Sequence, residues 1–262
     1  MKIPFYKCNS KGNDFIIVPF LKNHESYFFT EKKIREICNY KSEYSVDGFI
    51  TLRNNGHNFI MDYYNNDGTW ETFCLNGLIC CVLILEEKFN KNNFIIVSNK
   101  TKYNTQIDDS YNVKVQIKKP VYMKKNIHVE HVIGDYLDSG AKHLVVNYLD
   151  AWGDNIKLKS EMKKIRENKL FYPSGINVNF YKILEPGLIQ VKTYEKGIEE
   201  MMDSCASGSF ASAYDYSMKN GCFGKIKIIN DGGNSEVVFE NNYKENFFLS
   251  KGEIEYNGEL EI

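Results

Sequence analysis

Two kinds of hydrophobic run recur along this chain. After Cys74, LNGLICCVLILEEK is apolar on every side of a helical wheel, the pattern of a helix enclosed within a domain rather than lying on its surface. NVKVQIKK at 112–119 and LIQVKTYE at 188–195 instead alternate apolar and polar positions, the period of a strand with one buried face. A second helix is expected over about 207–219, with Ala, Ser and Gly on many faces so that neighbours can pack closely, stopping at Asn220-Gly221. Asn257-Gly258 in EIEYNGELEI predicts a type I′ hairpin. Helices that are buried all round need sheet as their enclosure, so strands around a central helix are expected twice over.

The two halves repeat one another. SKGNDFIIV at 10–18 resembles SGAKHLVV at 139–146, a small-residue turn, a polar residue and an apolar strand, with Asp14 and His143 129 positions apart. Phe49 in VDGFITL then matches Phe180 in GINVNFY, Tyr63 matches Tyr194, and Cys74 in CLNG matches Cys205 in CASG, each at an offset of 131. Short motifs match by chance, but several in the same order at nearly constant spacing indicate duplication. A boundary is expected near Lys118-Lys119-Pro120, where a strand has ended and a polar, basic segment begins. The domains are therefore read as 1–119, to which a C-terminal strand at about 252–262 returns, and 120–251.

Composition narrows the function. A chain of 262 residues with 43% hydrophobic, 14% aromatic and 26% charged residues is globular, and no apolar run approaches the ~18 residues of a membrane span. Lys plus Arg (33) nearly cancels Asp plus Glu (34), so no overall field attracts nucleic acid or an anionic membrane, and a small molecule is the expected partner. No signal-type segment follows the N-terminus, so a cytoplasmic location is expected. The seven cysteines, at 8, 38, 74, 80, 81, 205 and 222, form no CxxC pair and have no His at metal-ligand spacing, which argues for reduced thiols without a metal.

Cys74 and Cys205 stand apart from the other five because the repeat makes them equivalent. A cysteine just before a helix lies at the positive end of the macrodipole, which favours thiolate. Two such groups suit inversion at carbon, where one removes a proton from one face and the other delivers a proton to the opposite face. Gly77 and Gly208, preceded by Asn76 and Ser207, would let backbone N–H groups approach a carboxylate closely, where negative charge grows as the α-proton leaves. No pyridoxal cofactor is needed for such chemistry. The plainer alternative is that both are ordinary helix-start cysteines.

At these residues the sequence resembles the diaminopimelate epimerases and related amino-acid racemases over essentially its whole length. The GxGNDF-type opening is present as SKGNDF, the GADG-type turn as SVDGF, and NADGSxxxxCGNG as NNDGTWETFCLNG. In the second half GNPH is present as GAKH, the Asn-Ile pair as Ile176-Asn177-Val178, YERG as YEKG and CGSG as CASG. The resemblance implies an α+β fold of two homologous, pseudo-two-fold-related domains, each a curved, mostly antiparallel sheet or barrel around a central helix. It implies that Cys74 and Cys205 are the acid/base pair and that His143 and Glu195 face the thiols and help to set their ionisation. It places Leu75, Asn76, Gly77, Ala206, Ser207 and Gly208 around the substrate carboxylate, and Asn13, Asn65, Asn177 and Lys196 at its distal amino and carboxyl groups. No cofactor or metal and a homodimer are further implications.

Departures from the family bear on the substrate. Lys196 stands where the family has an Arg, losing a planar bidentate fork, and Ala141-Lys142 replaces the Asn-Pro of GNPH. Leu75 and Ala206 replace the glycines that directly follow the cysteines, Ile79 replaces an Arg, and the loop from Glu195 to Cys205 is one residue longer. Glu199, Glu200 and Asp203 in that loop are either solvated or oppose the second thiolate. Alternatives to diaminopimelate epimerisation are a racemase for another amino acid, such as the histidine racemases of metallophore pathways, or a same-fold isomerase or binding protein that does not use paired thiols.

Overall fold

A computed structural model of the protein describes residues 2–22, 28–39, 45–173 and 175–261. They form two compact units, Met1–Gln116 with Leu249–Ile262, and Ile117–Phe248.

In the first unit β1 (Lys2–Ser10) pairs antiparallel with both β2 (Asn13–Phe20) and the C-terminal β18 (Glu253–Glu261). β2 pairs parallel with β3 (Gly48–Asn54), which pairs antiparallel with β4 (Phe59–Asn65). β4 continues antiparallel to β5 (Trp70–Glu71) and parallel to β6 (Asn93–Ser98); β7 (Thr101–Ile107) and β8 (Asn112–Gln116) follow as antiparallel neighbours. The short α1 (Glu31–Cys38), capped by Thr30, lies between β2 and β3 in the chain and packs Ile34 and Ile37 against Ile16, Val18 and Phe49. α2 (Leu75–Phe89) lies between β5 and β6, and every residue from Leu75 to Leu85 is buried. It is the enclosed helix that the apolar run requires.

The second unit repeats that order. β9 (Val121–Val129), β10 (Val132–Asp138) and β11 (Lys142–Asn147) are antiparallel neighbours; β11 pairs parallel with β12 (Asn177–Glu185), and β12 antiparallel with β13 (Leu188–Glu195). β13 then pairs antiparallel with β14 (Glu200–Met202) and parallel with β15 (Gly224–Asn230), which pairs antiparallel with β16 (Gly233–Glu240). α3 (Asn155–Arg166), capped by Asp154, packs Leu158, Met162 and Ile165 on Leu144, Val178 and Phe180. α4 (Ala206–Asn220) is buried along most of its length and ends at Gly221 in the left-handed region, as its Asn-Gly signal predicts. β17 (Glu245–Lys251) carries the chain back toward β18.

The two central helices are buried by different means. α2 buries mainly its own aliphatic side chains and two cysteines, whereas α4 buries hydroxyls that are hydrogen-bonded: Ser212 Oγ donates to the Gly208 carbonyl at 2.8 Å and Ser209 Oγ to Asn230 Oδ1 at 3.1 Å. The buried Asp215 accepts from Tyr122, Tyr181 and Lys219 at 2.9, 3.0 and 2.7 Å.

One local signal fails. Asn257-Gly258 is not a turn: β18 runs straight through it, with Asn257 opposite Tyr6 and Gly258 opposite Phe5. A Cβ on Gly258 would stand 2.9 Å from the Phe5 ring, so the glycine serves close strand packing. The alternation at 112–119 ends as a strand at Gln116, and the units divide there, three residues before Lys119, with the C-terminal strand in the first unit. The loop before Cys205 contains a short strand, β14. Its Glu199 pairs with Arg166 at 2.6 Å and Glu200 pairs with Lys159, so both carboxylates are held by the basic face of α3.

Candidate functional site

Each cysteine singled out in the sequence is the N-cap residue of its unit's central helix. Cys74 has φ −134° and ψ 113°, and Cys205 has φ −125° and ψ 105°, both extended backbone turning into helix. This is where unpaired helical N–H groups and the positive end of the macrodipole favour an anion.

In the first unit the Cys74 sulfur is half-buried and accepts from the Gly77 backbone N–H at 3.4 Å. A Cβ on Gly77 would stand 2.4 Å from Ile50 Cδ1. Asn76, 2% exposed, donates from Nδ2 to Asn13 Oδ1 at 2.8 Å, and Asn13 donates in turn to Asp47 Oδ2 at 3.3 Å. The Asn76 Oδ1 atom is buried without a hydrogen-bond partner among the described residues. Asp47 also accepts from the Asp14 backbone N–H at 2.9 Å, yet burial pushes its carboxyl above the usual range. The strands thus bring Asn13 to Asn76, two of the predicted substrate residues. Asn65 is held elsewhere, accepting from Tyr63 Oη at 3.1 Å and donating to Thr69 Oγ1 at 3.2 Å. Leu75, at the first helical position, is buried.

In the second unit Cys205 is 7% exposed, and its sulfur lies 3.6 Å from Ser207 Oγ. Ser207 Oγ is 3.2 Å from His143 Nε2, and His143 Nδ1 is 2.9 Å from Asn179 Nδ2. Thr193 Oγ1 donates to Asn179 Oδ1 at 2.9 Å. His143 is completely buried, which pulls its pKa down to about 3, so the ring is neutral at physiological pH. Ser139 Oγ donates to the Ser207 carbonyl at 3.0 Å, tying the turn before β11 to the start of α4. Ala206 and Gly208 are buried beside it.

Glu195 ends β13, half-buried and opposite Glu200 in register. Lys196 follows, exposed. Asn177 Oδ1 accepts from the Lys196 backbone N–H at 2.8 Å and Nδ2 donates to the Lys142 carbonyl at 3.1 Å, so this amide joins the ends of two strands. Asn179 and Thr193 were not among the residues marked by the sequence. A signal for Asn179 existed: in strand alternation it shares a face with Asn177, two positions earlier, and an Asn amid apolar neighbours must find partners. Thr193 has no comparable signal.

Among the described residues no group of three His, Cys, Asp or Glu side chains is placed to hold a metal ion, and no helix is long and apolar enough to cross a membrane.

No protein-family model matches the chain. Solved structures match its fold: a probable proline racemase from Agrobacterium radiobacter K84, with bound carbonate, has a TM-score of 0.74 at 12% identity, covering 99% of this chain and 93% of that one. A phenazine biosynthesis protein of the PhzF family from Enterococcus faecalis has a TM-score of 0.71 at 9% identity, covering both chains completely. Sequence relatives are closer. The diaminopimelate epimerase of Buchnera aphidicola subsp. Baizongia pistaciae is 32% identical over 234 residues, covering 81% of this chain and 79% of that protein. That of Flavobacterium psychrophilum is 31% identical over 267 residues, covering 98% of this chain and 99% of its own length. With this identity sustained from end to end, the chain belongs to the diaminopimelate epimerase family of isomerases.

Proposed function

We propose that the protein inverts the α-carbon of an amino acid by acid/base catalysis with Cys74 and Cys205, without a bound coenzyme, and that its substrate is diaminopimelate. In this reading it converts the LL form to the meso form for lysine and peptidoglycan synthesis. The observation that carries the proposal is the repeated helix start, with matching backbone angles at Cys74 and Cys205 in two units of the same strand order. One cysteine, as thiolate, takes the α-proton; the other, as thiol, delivers a proton to the opposite face, and the roles exchange for the opposite stereoisomer.

Charge that develops on the α-carboxylate is stabilised by backbone N–H groups at Leu75, Asn76 and Gly77 and at Ala206, Ser207 and Gly208, donors fixed before the reaction begins. The unpartnered Oδ1 of Asn76 is an acceptor for an ammonium group, with its orientation held by Asn13. His143 and Glu195 are assigned to the thiols' ionisation, and Asn65, Asn177 and Lys196 to the distal end. Family membership supports a cytoplasmic homodimer, which light scattering behind size-exclusion chromatography would check.

The test is α-hydrogen exchange in deuterium oxide over a panel of amino acids with no added coenzyme. Exchange with LL-diaminopimelate is expected. A silent diaminopimelate with exchange in another amino acid, histidine included, would overturn the substrate; silence across the panel would overturn the reaction.

A further inference from the structure

We infer that Asn179 and Thr193 are positioning residues that hold His143 in a single tautomer and, through Ser207, aim a hydroxyl proton at the Cys205 sulfur. This rests on the acid/base role proposed for Cys205 and adds the means by which its surroundings are set.

The direction of every bond in the series follows from the groups that have no choice. Asn179 Nδ2 lies 3.4 Å from the Leu144 carbonyl, which only accepts, so the amino side of the amide faces β11 and the oxygen faces β13. On the oxygen side Thr193 donates at 2.9 Å. The amino group therefore donates to His143 Nδ1 at 2.9 Å, leaving Nδ1 bare. A neutral imidazole with a bare Nδ1 carries its proton on Nε2. Nε2 then donates to Ser207 Oγ at 3.2 Å, and the hydroxyl, having accepted, has its own proton to give to Sγ at 3.6 Å. When Cys205 is a thiolate, Ser207 is the partner in that contact with a proton to donate.

The series is rigid as well as directional. Asn179 and His143 are fully buried and Thr193 is 1% exposed. The three sit on adjacent strands, with His143 opposite Asn177 and Asn179 opposite Thr193 in register. Gly208 closes the far side: a Cβ there would stand 2.0 Å from Asn179 Oδ1, so only a bare Cα lets the first turn of α4 press on this amide. An amide pinned by a hydroxyl, a ring nitrogen and a helix start cannot rotate to present its oxygen to His143.

The direct test is the nitrogen-15 spectrum of the histidines in the wild-type enzyme at neutral pH. His143 is expected to show a bare Nδ1 and a protonated Nε2; the opposite pattern overturns the inference. Asn179→Asp keeps the shape but has no proton to donate, so Nδ1 should become the protonated nitrogen and Nε2 should accept from Ser207, turning that hydroxyl proton away from sulfur. The expected result is a switched spectrum and a kcat for α-exchange lower by about 10²-fold or more, with KM within about twofold. A folded Asn179→Asp enzyme with unchanged kcat would overturn the proposal. Should Asn179→Asp not fold, Thr193→Val and Thr193→Ser decide: kcat is expected to fall with Val and recover with Ser, and equal rates in the two would overturn it. These outcomes are distinct from failure of the proposed function, which would show as wild-type enzyme silent toward every amino acid whatever the spectrum.

Discussion

The two central helices begin with the same backbone turn and differ in almost everything around it. At Cys74 the sulfur caps its own helix through Gly77, and Asn76, two positions on, begins a series that runs through Asn13 to the carboxylate of Asp47. At Cys205 the sulfur makes no such cap bond and instead meets a hydroxyl at the end of a buried neutral series reaching back to Thr193. The backbone element that concentrates N–H groups is the same at both helix starts, while the side chains hydrogen-bonded there differ: an asparagine series ending on a carboxylate in the first unit, and a hydroxyl, an imidazole and an amide in the second. In the proposed mechanism the two thiols start in opposite protonation states, and such a pair gains from different surroundings.

The largest effects should come from the sulfurs themselves. Cys74→Ala and Cys205→Ala are each expected to lower turnover by at least about 10²-fold, the size of a lost general acid or base. The comparison sharpens in stability, because removing a capping atom from Cys74 should cost about 0.5–1 kcal/mol in urea unfolding, whereas Cys205→Ala loses no helix cap. Equal turnover in either variant and wild type would remove the two-thiol assignment.

Next in size is the pair of glycines. Gly208→Ala drives a methyl into Asn179 Oδ1, an atom held by Thr193 and by the rigid placement of His143, and should cost about 2–3 kcal/mol together with activity. Gly77→Ala meets the terminal methyl of Ile50, which has rotamers in which to retreat, and should cost about 1 kcal/mol. Thermal unfolding of the two variants side by side checks the order. A reversal would mean that the second helix start is the more adaptable one.

How much of this was legible in the chain depends on the range of the interaction. The helix at 75–89 could be read because an all-round apolar run has only one comfortable environment, and Gly221 because a helix end is a local event. Asn257-Gly258 misled for the same reason: the hairpin preference is local, and pairing with Phe5, some 250 residues away along the chain, overrode it. The partners of Glu199 and Glu200 were hidden because Arg166 and Lys159 lie on another element. His143 was found by its repeat and its motif, but the groups that orient it were not, since Asn179 and Thr193 gain their meaning only when three strands align them.

The neutral ring predicts an acid sensitivity confined to the second unit. His143 titrates at about 3 when folded and near 6.5 when unfolded, so between those values the unfolded chain binds the extra proton and stability is lost as pH falls. The contribution is a slope of up to about 1.4 kcal/mol per pH unit below about 6.5. Asp47 has the opposite tendency, since a carboxyl raised by burial gains relative stability as it protonates. Urea unfolding from pH 7 to pH 5 should therefore show a steeper loss for wild type than for His143→Gln. Parallel curves would mean that the ring accepts a proton in place.

The smallest effect concerns the distal end of the substrate. Lys196, proposed to meet the distal end of the substrate, is exposed and carries a compact, well-hydrated charge rather than a planar fork, so any attraction it has for a second carboxylate is screened. Its backbone, however, is fixed: the Lys196 N–H is held by Asn177 Oδ1, the same amide that holds Lys142, so the ammonium pivots from a defined point. Lys196→Ala should raise KM for a dicarboxylic substrate about two- to fivefold, leave kcat nearly unchanged, and leave KM for a monocarboxylic amino acid untouched, because only uniform binding is lost. Lys196→Arg should lower KM for the dicarboxylic substrate below the wild-type value by restoring two parallel hydrogen bonds. An unchanged KM in both variants would take Lys196 out of substrate recognition and leave the second unit's contribution at its helix start alone.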